Sequence, residues 1–104
     1  MVLACEFRET VKTRAATDAA FREALLQEAV SALLADDVEA GKTILRNYIN
    51  ATVGFEKLGA VTKTSPKGLM RMFGPAGNPQ AKNLFAVLAK LQKATGVRLE
   101  VRAA

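Results

Sequence analysis

The stretch from Leu58 to Phe73, LGAVTKTSPKGLMRMF, constrains this chain most, because the Ser-Pro pair in its middle admits few backbone conformations. Proline holds φ at about −65° and has no N–H, so it suits the first position of a helix. The serine before it can accept from an amide of the first turn. A helix is therefore expected to start at Pro66 with Ser65 as its cap. Leu69, Met72 and Phe73 fall three and four residues apart and share one face, which leaves Pro66, Lys67, Met70 and Arg71 on the other. Ahead of the pair, Leu58 and Val61 give a short helix over 55–62 its apolar stripe, and Gly59 offers a point of close helix approach. The expectation is two short helices joined by a tight turn, the second with a cationic outer face.

Such a face suits a phosphate-lined groove, where the N-terminal residues of the second helix of a pair reach base edges. Two ordinary packed helices with a solvated cationic face would show the same spacing, and the distribution of charge helps to separate the two. Of the net +5, residues 1–60 carry minus two, from seven Lys or Arg against nine Asp or Glu. Residues 61–104 carry plus seven, from eight Lys or Arg against Glu100 alone. The basic excess belongs to the half that begins at the turn, as a polyanion-binding face requires.

Other function classes lose support from what the chain lacks. It has no histidine, the commonest general base and metal ligand. Cys5 is the single cysteine, so neither an internal disulfide nor a cysteine metal cluster can form within one chain, and it reads as a small apolar residue. Asp36 and Asp37 lie between two helical patterns, where capping is the ordinary role. No phosphate-binding glycine loop, nucleophile elbow or metal-spaced carboxylate set occurs. The expectation is a protein that is not an enzyme and takes no cofactor or metal. The longest apolar runs fall well short of the roughly 18 residues of a membrane span, and the apolar start of MVLACEFRET is too short for a secretory leader. A cytoplasmic protein with no membrane partner is expected, of a length that suits one domain with a real core.

In chain order, Phe7, Val11 and Ala15 predict a helix over 5–16, with a strand over 2–7 as the alternative. Thr17 or Asp18 caps a helix over 18–35, whose broad apolar stripe runs through Phe21, Leu25, Leu26, Ala29, Val30, Leu33 and Leu34. Asp36 or Asp37 caps the next, with Val38, Leu45, Tyr48 and Ile49 inside and Lys42, Arg46 and Asn47 outside. GPAGNP, residues 74–79, is turn chemistry. Asn78 and Pro79 repeat the cap-and-proline pattern and open a last helix through Thr95, with Leu84, Phe85, Leu88 and Leu91 inward and Gly96 as its stop. Val97, Leu99 and Val101 then alternate with Arg98, Glu100 and Arg102, the period of a half-buried strand. A lone strand needs a backbone partner, either the same strand of a second copy or one from another protein; otherwise it is a tail lying on the domain. The chain divides near residue 36 into an N-terminal helical arm, 1–35, and a core, 36–104, within one compact unit.

Residues 58–101 resemble the helix-turn-helix domain of HigA-like addiction-module antidote proteins, within the lambda-repressor-like group. That family's pattern, LAxxxGxSxxxLxxxLxxxGNPxxxTLxxVL followed by GxxLxV, is met by Leu58, Ser65, Leu69, Phe73, Gly77, Asn78, Pro79, Leu84, Val87, Leu88, Gly96, Leu99 and Val101. The chain departs from it at Gly59, where Ala is commoner, at Lys63, where Gly is usual, and at Thr64, where an apolar residue is usual. A non-glycine residue in a left-handed turn costs about 1 kcal/mol, so a turn of slightly different shape is expected. The resemblance implies a mainly all-α, lambda-repressor-like helix-turn-helix bundle of five to six helices with a short C-terminal β-strand. It places Ser65, Pro66, Lys67, Met70 and Arg71 toward the groove and Lys63 on a phosphate. Arg71 is the candidate for base readout and Lys82, at the start of the last helix, a further backbone contact. It also implies a homodimeric repressor of its own promoter on double-stranded operator DNA, an antitoxin with a RelE- or HigB-type toxin as partner. The alternative is a protein-interaction module that masks a partner through residues 1–35, with little or no DNA binding.

Overall fold

Short polar caps set where most of the helices begin. The computed structural model describes residues 17–103, and these are mainly helical; the helix expected over 5–16, its strand alternative and Cys5 lie outside the described residues. Asp18 caps α1 (Ala19–Leu34), accepting from the Phe21 amide at 3.2 Å. Asp37, not Asp36, caps α2 (Val38–Ala51), accepting from the Ala40 amide at 3.2 Å. Asp36 instead takes the left-handed corner before it, with φ 64°. Gly54, at φ 81°, leads into α3 (Phe55–Thr62). Ser65 and Pro66 open α4 (Pro66–Met72) as the sequence predicts, the Ser65 hydroxyl accepting from the Gly68 amide at 3.0 Å. The last helix, α5 (Ala81–Thr95), ends on Gly96 at φ 73°.

One apolar cluster holds the helices together. It contains Leu26 and Ala29 of α1, Leu45, Tyr48 and Ile49 of α2, Phe55 and Leu58 of α3, Leu69 of α4 with Phe73 after it, Val87, Leu88 and Leu91 of α5, and Val97. α1 packs chiefly on α2, while α3 packs on both α4 and α5. The Tyr48 hydroxyl donates to Thr95 Oγ1 at 2.9 Å, and Thr95 donates onward to the Leu91 carbonyl at 2.7 Å, tying α2 to the end of α5.

Several expectations are corrected. Asn78 and Pro79 do not open α5. Gln80 after them is extended at ψ 149°, and the helix starts only at Ala81, without a side-chain cap. Leu34 and Val38 are exposed, because they are the last residue of α1 and the first of α2 and meet at a corner beyond the core. Val61 is exposed too, since α3 buries the face of Phe55, Leu58 and Gly59. Phe85 is 66% exposed and Val87 takes its place inside, because the buried stripe of α5 runs through Val87, Leu88 and Leu91. Lys42 is not on the outer face of α2: it is 2% exposed. Finally, no strand occurs among the described residues. Residues 97–100 keep the alternation, with Val97 buried, Leu99 half-buried and Arg98 and Glu100 exposed, but Val101 is exposed and the segment finds no strand to pair with among the described residues.

Candidate nucleic-acid interface

The turn between α3 and α4 is three residues long, Lys63 to Ser65. Lys63 adopts the left-handed conformation, φ 56° and ψ 38°, the one a glycine would take most easily. The Thr64 amide reaches back to the Gly59 carbonyl at 3.0 Å, a bond that closes a helix through a left-handed residue. Gly59 explains how the turn closes so tightly: a Cβ there would sit 2.6 Å from the Thr64 carbonyl oxygen. The departures at positions 59 and 63–64 therefore belong together, with the missing side chain at 59 leaving the room that the Thr64 carbonyl occupies.

Beyond the turn, α4 sorts its residues as their spacing predicts. Leu69 and Phe73 are buried and Met72 packs against them, whereas Ser65, Lys67, Met70 and Arg71 are exposed and Pro66 is half-buried. Lys67, Met70 and Arg71 lie three and four residues apart on one outer face, with Lys63 exposed at the turn before it. Neither Lys63, Lys67 nor Arg71 forms an ion pair with another described residue, so their charges stand open to an external anion. Lys82 is also exposed, but on a different helix, in the first turn of α5, whose leading amides have no side-chain acceptor. Every predicted contact except Lys82 thus lies on α4 or the turn that leads into it, and Lys82 lies on α5.

Lys42 is a residue the sequence reading missed. Its Nζ donates to the Gly74 carbonyl at 3.1 Å and the Gly77 carbonyl at 2.7 Å, and pairs with the exposed Glu39 carboxylate at 3.0 Å. Gly77 lies so close to the end of α4 that a Cβ would overlap the Arg71 and Met72 carbonyls. Lys42 therefore braces the loop that clasps the C-terminal end of α4, and so fixes that helix relative to α2. The signal was present in the spacing, since 38, 42, 45 and 49 form one helical stripe; the charge of lysine concealed it.

A shallow pocket of about 340 Å³ lies elsewhere, between Arg22, Thr52, Lys57 and Thr95, and includes none of the predicted contacts. Among the described residues no group of three or more His, Cys, Asp or Glu could hold a metal ion, and no helix is long and apolar enough to cross a membrane. No protein-family model, curated protein or solved structure matches the chain.

Proposed function

We propose that this chain is a sequence-specific DNA-binding transcriptional regulator of lambda-repressor-like architecture, with α3, the turn and α4 acting as its helix-turn-helix. The observation that carries this is the open cationic face of α4, with Lys67, Met70 and Arg71 outward over a buried Leu69 and Phe73. In this role Arg71 donates two hydrogen bonds to guanine, Met70 touches a thymine methyl, and Lys63 and Lys67 hold phosphates. Ser65 and Pro66 bring the helix start to the groove, and Lys82 with the α5 amides adds a backbone contact. The chain acts as a homodimer on half-sites about one helical turn apart. It represses its own promoter as the antitoxin of a toxin-antitoxin operon and binds a RelE- or HigB-type toxin.

Gel-shift titration against the protein's own promoter region at two salt concentrations tests this. Arg71→Ala is expected to weaken specific binding by about 1 to 3 kcal/mol, and Lys67→Ala to weaken all sequences alike and reduce the salt slope by about one. Operator binding unchanged in both variants would remove α4 from the function. A second reading, a module that masks a partner protein with little or no DNA binding, is favoured by the exposed apolar corner of Leu34 and Val38. Co-purification with the adjacent gene's product, together with no salt-dependent retention on DNA, would select it.

A further inference from the structure

We infer that residues 97–101 form an antiparallel β-ribbon with the same segment of a second copy of this chain, in a register centred on Leu99. The inference gives an interface to the homodimer of the proposed function and rests on that part of it; its test uses no DNA, so it can fail or stand without deciding DNA binding.

The backbone supplies the first reason. The Leu99 amide donates to Gln92 Oε1 at 2.9 Å, which turns one edge of the segment toward its own α5. Burial alternates over Val97, Arg98, Leu99 and Glu100 as it does along an extended segment, in which the N–H and C=O of alternate residues point to opposite edges. The groups of Arg98 and Glu100 therefore face the other edge, and they make no hydrogen bond to any other described residue. An edge held on one side and open on the other is a template for strand addition.

The side chains choose the partner and the register. With Leu99 opposite Leu99 of the second copy, Arg98 stands opposite Glu100 at two symmetric places and Val97 opposite Val101 at two more. Shifting the two-fold axis to Glu100 would set Glu100 against Glu100 and Arg98 against Arg102, which is repulsive. Shifting it to Val101 would match Glu100 with Arg102 but set Leu99 against the small Ala103. An odd shift would oppose apolar and charged faces. Centring on Leu99 also makes the Arg98–Glu100 pairs the hydrogen-bonded ones, the arrangement that the open edge offers. Val101, 76% exposed in the single chain, then lies beside the second copy's Val97, which is 5% exposed at the edge of that copy's core. One two-fold pairing thus satisfies the open backbone edge and the exposed valine together, and sets Arg98 beside a Glu100 that already pairs with its own Arg102 at 3.1 Å.

Sedimentation equilibrium of the full chain is expected to show a reversible monomer-dimer equilibrium. Arg98→Glu and Glu100→Arg should each weaken self-association about tenfold, since each sets like charges opposite at both symmetric sites. An equimolar mixture of the two variants should recover wild-type affinity, because every opposed pair is then again of opposite sign. Both side chains are exposed, so at dilutions where the wild type is monomeric the thermal unfolding of each variant should match that of the wild type. Glu100→Pro, which deletes a donor on the open edge, should abolish the dimer. A chain that stays monomeric, a dimer indifferent to the reversals, or a mixture that fails to recover would each overturn the pairing. A dimer lost instead with Phe85→Ser would overturn it in favour of the exposed face of α5.

Discussion

Lys42 shows how much one side chain can organise. Its ammonium group is taken almost wholly out of water and recovers that loss from two carbonyls and a carboxylate. Lys42→Met keeps the length of the side chain but leaves the Gly74 and Gly77 carbonyls without their donor. It is expected to lower stability by about 2 kcal/mol in urea unfolding. Glu39→Ala, which leaves both carbonyl bonds in place but takes the carboxylate from the buried ammonium, should cost less than Lys42→Met, about 1 kcal/mol. At the turn, Lys63→Gly should raise stability by about 0.5 to 1 kcal/mol, because glycine meets no Cβ penalty at positive φ. The same change deletes a phosphate contact in the proposed complex, so DNA affinity should fall while the melting temperature rises. A parallel fall in both quantities would contradict this separation of roles.

The helices owe their boundaries to local chemistry and their burial to their neighbours. Adjacent aspartates between α1 and α2 illustrate the first point. Asp37 caps α2, so Asp37→Ala should cost about 1 kcal/mol, whereas Asp36→Gly should stabilise by a few tenths of a kcal/mol or more by relieving its left-handed backbone. Chemical denaturation of the two variants is expected to give shifts of opposite sign. The starts of α1, α2 and α4 were legible because Asp and Ser-Pro act within three residues of their own position. The start of α5 was not: Asn78-Pro79 has the right residues, yet Gln80 after the pair is still extended and the helix begins at Ala81. Likewise α4 could be divided into faces from its spacing, while Phe85 and Val61 were misplaced because spacing defines a stripe and not which neighbour covers it.

Across the whole molecule, Tyr48 links stability to pH. It is fully buried, and burial pushes its phenol above the ordinary value of about 10, with the Thr95 hydroxyl and the charge of Arg22 acting in the opposite direction. A raised value means that folding favours the protonated phenol. Its contribution is therefore complete below about pH 10 and is lost as the pH climbs through the folded value. Urea midpoints are expected to hold up to about pH 10 and to fall as the pH rises beyond it in the wild type. Tyr48→Phe should lose about 1 kcal/mol at neutral pH with its bond to Thr95 and show less of that alkaline fall.

Properties that depend on near neighbours in the chain could be read without coordinates: the caps, the left-handed stop at Gly96, the two faces of α4 and the concentration of positive charge after residue 60. Properties that depend on residues far apart in sequence could not. That Lys42 lies inside follows from carbonyls 32 and 35 residues away, and that Gly59 admits a tight turn follows from where the Thr64 carbonyl comes to rest. The alternation of residues 97–101 was plain, but whether it makes a strand depends on a backbone partner, and a single copy offers none among its described residues. Side-chain spacing encodes which faces are apolar; only packing decides which atoms meet, because a hydrogen bond or an overlap is set by distances of a few tenths of an ångström.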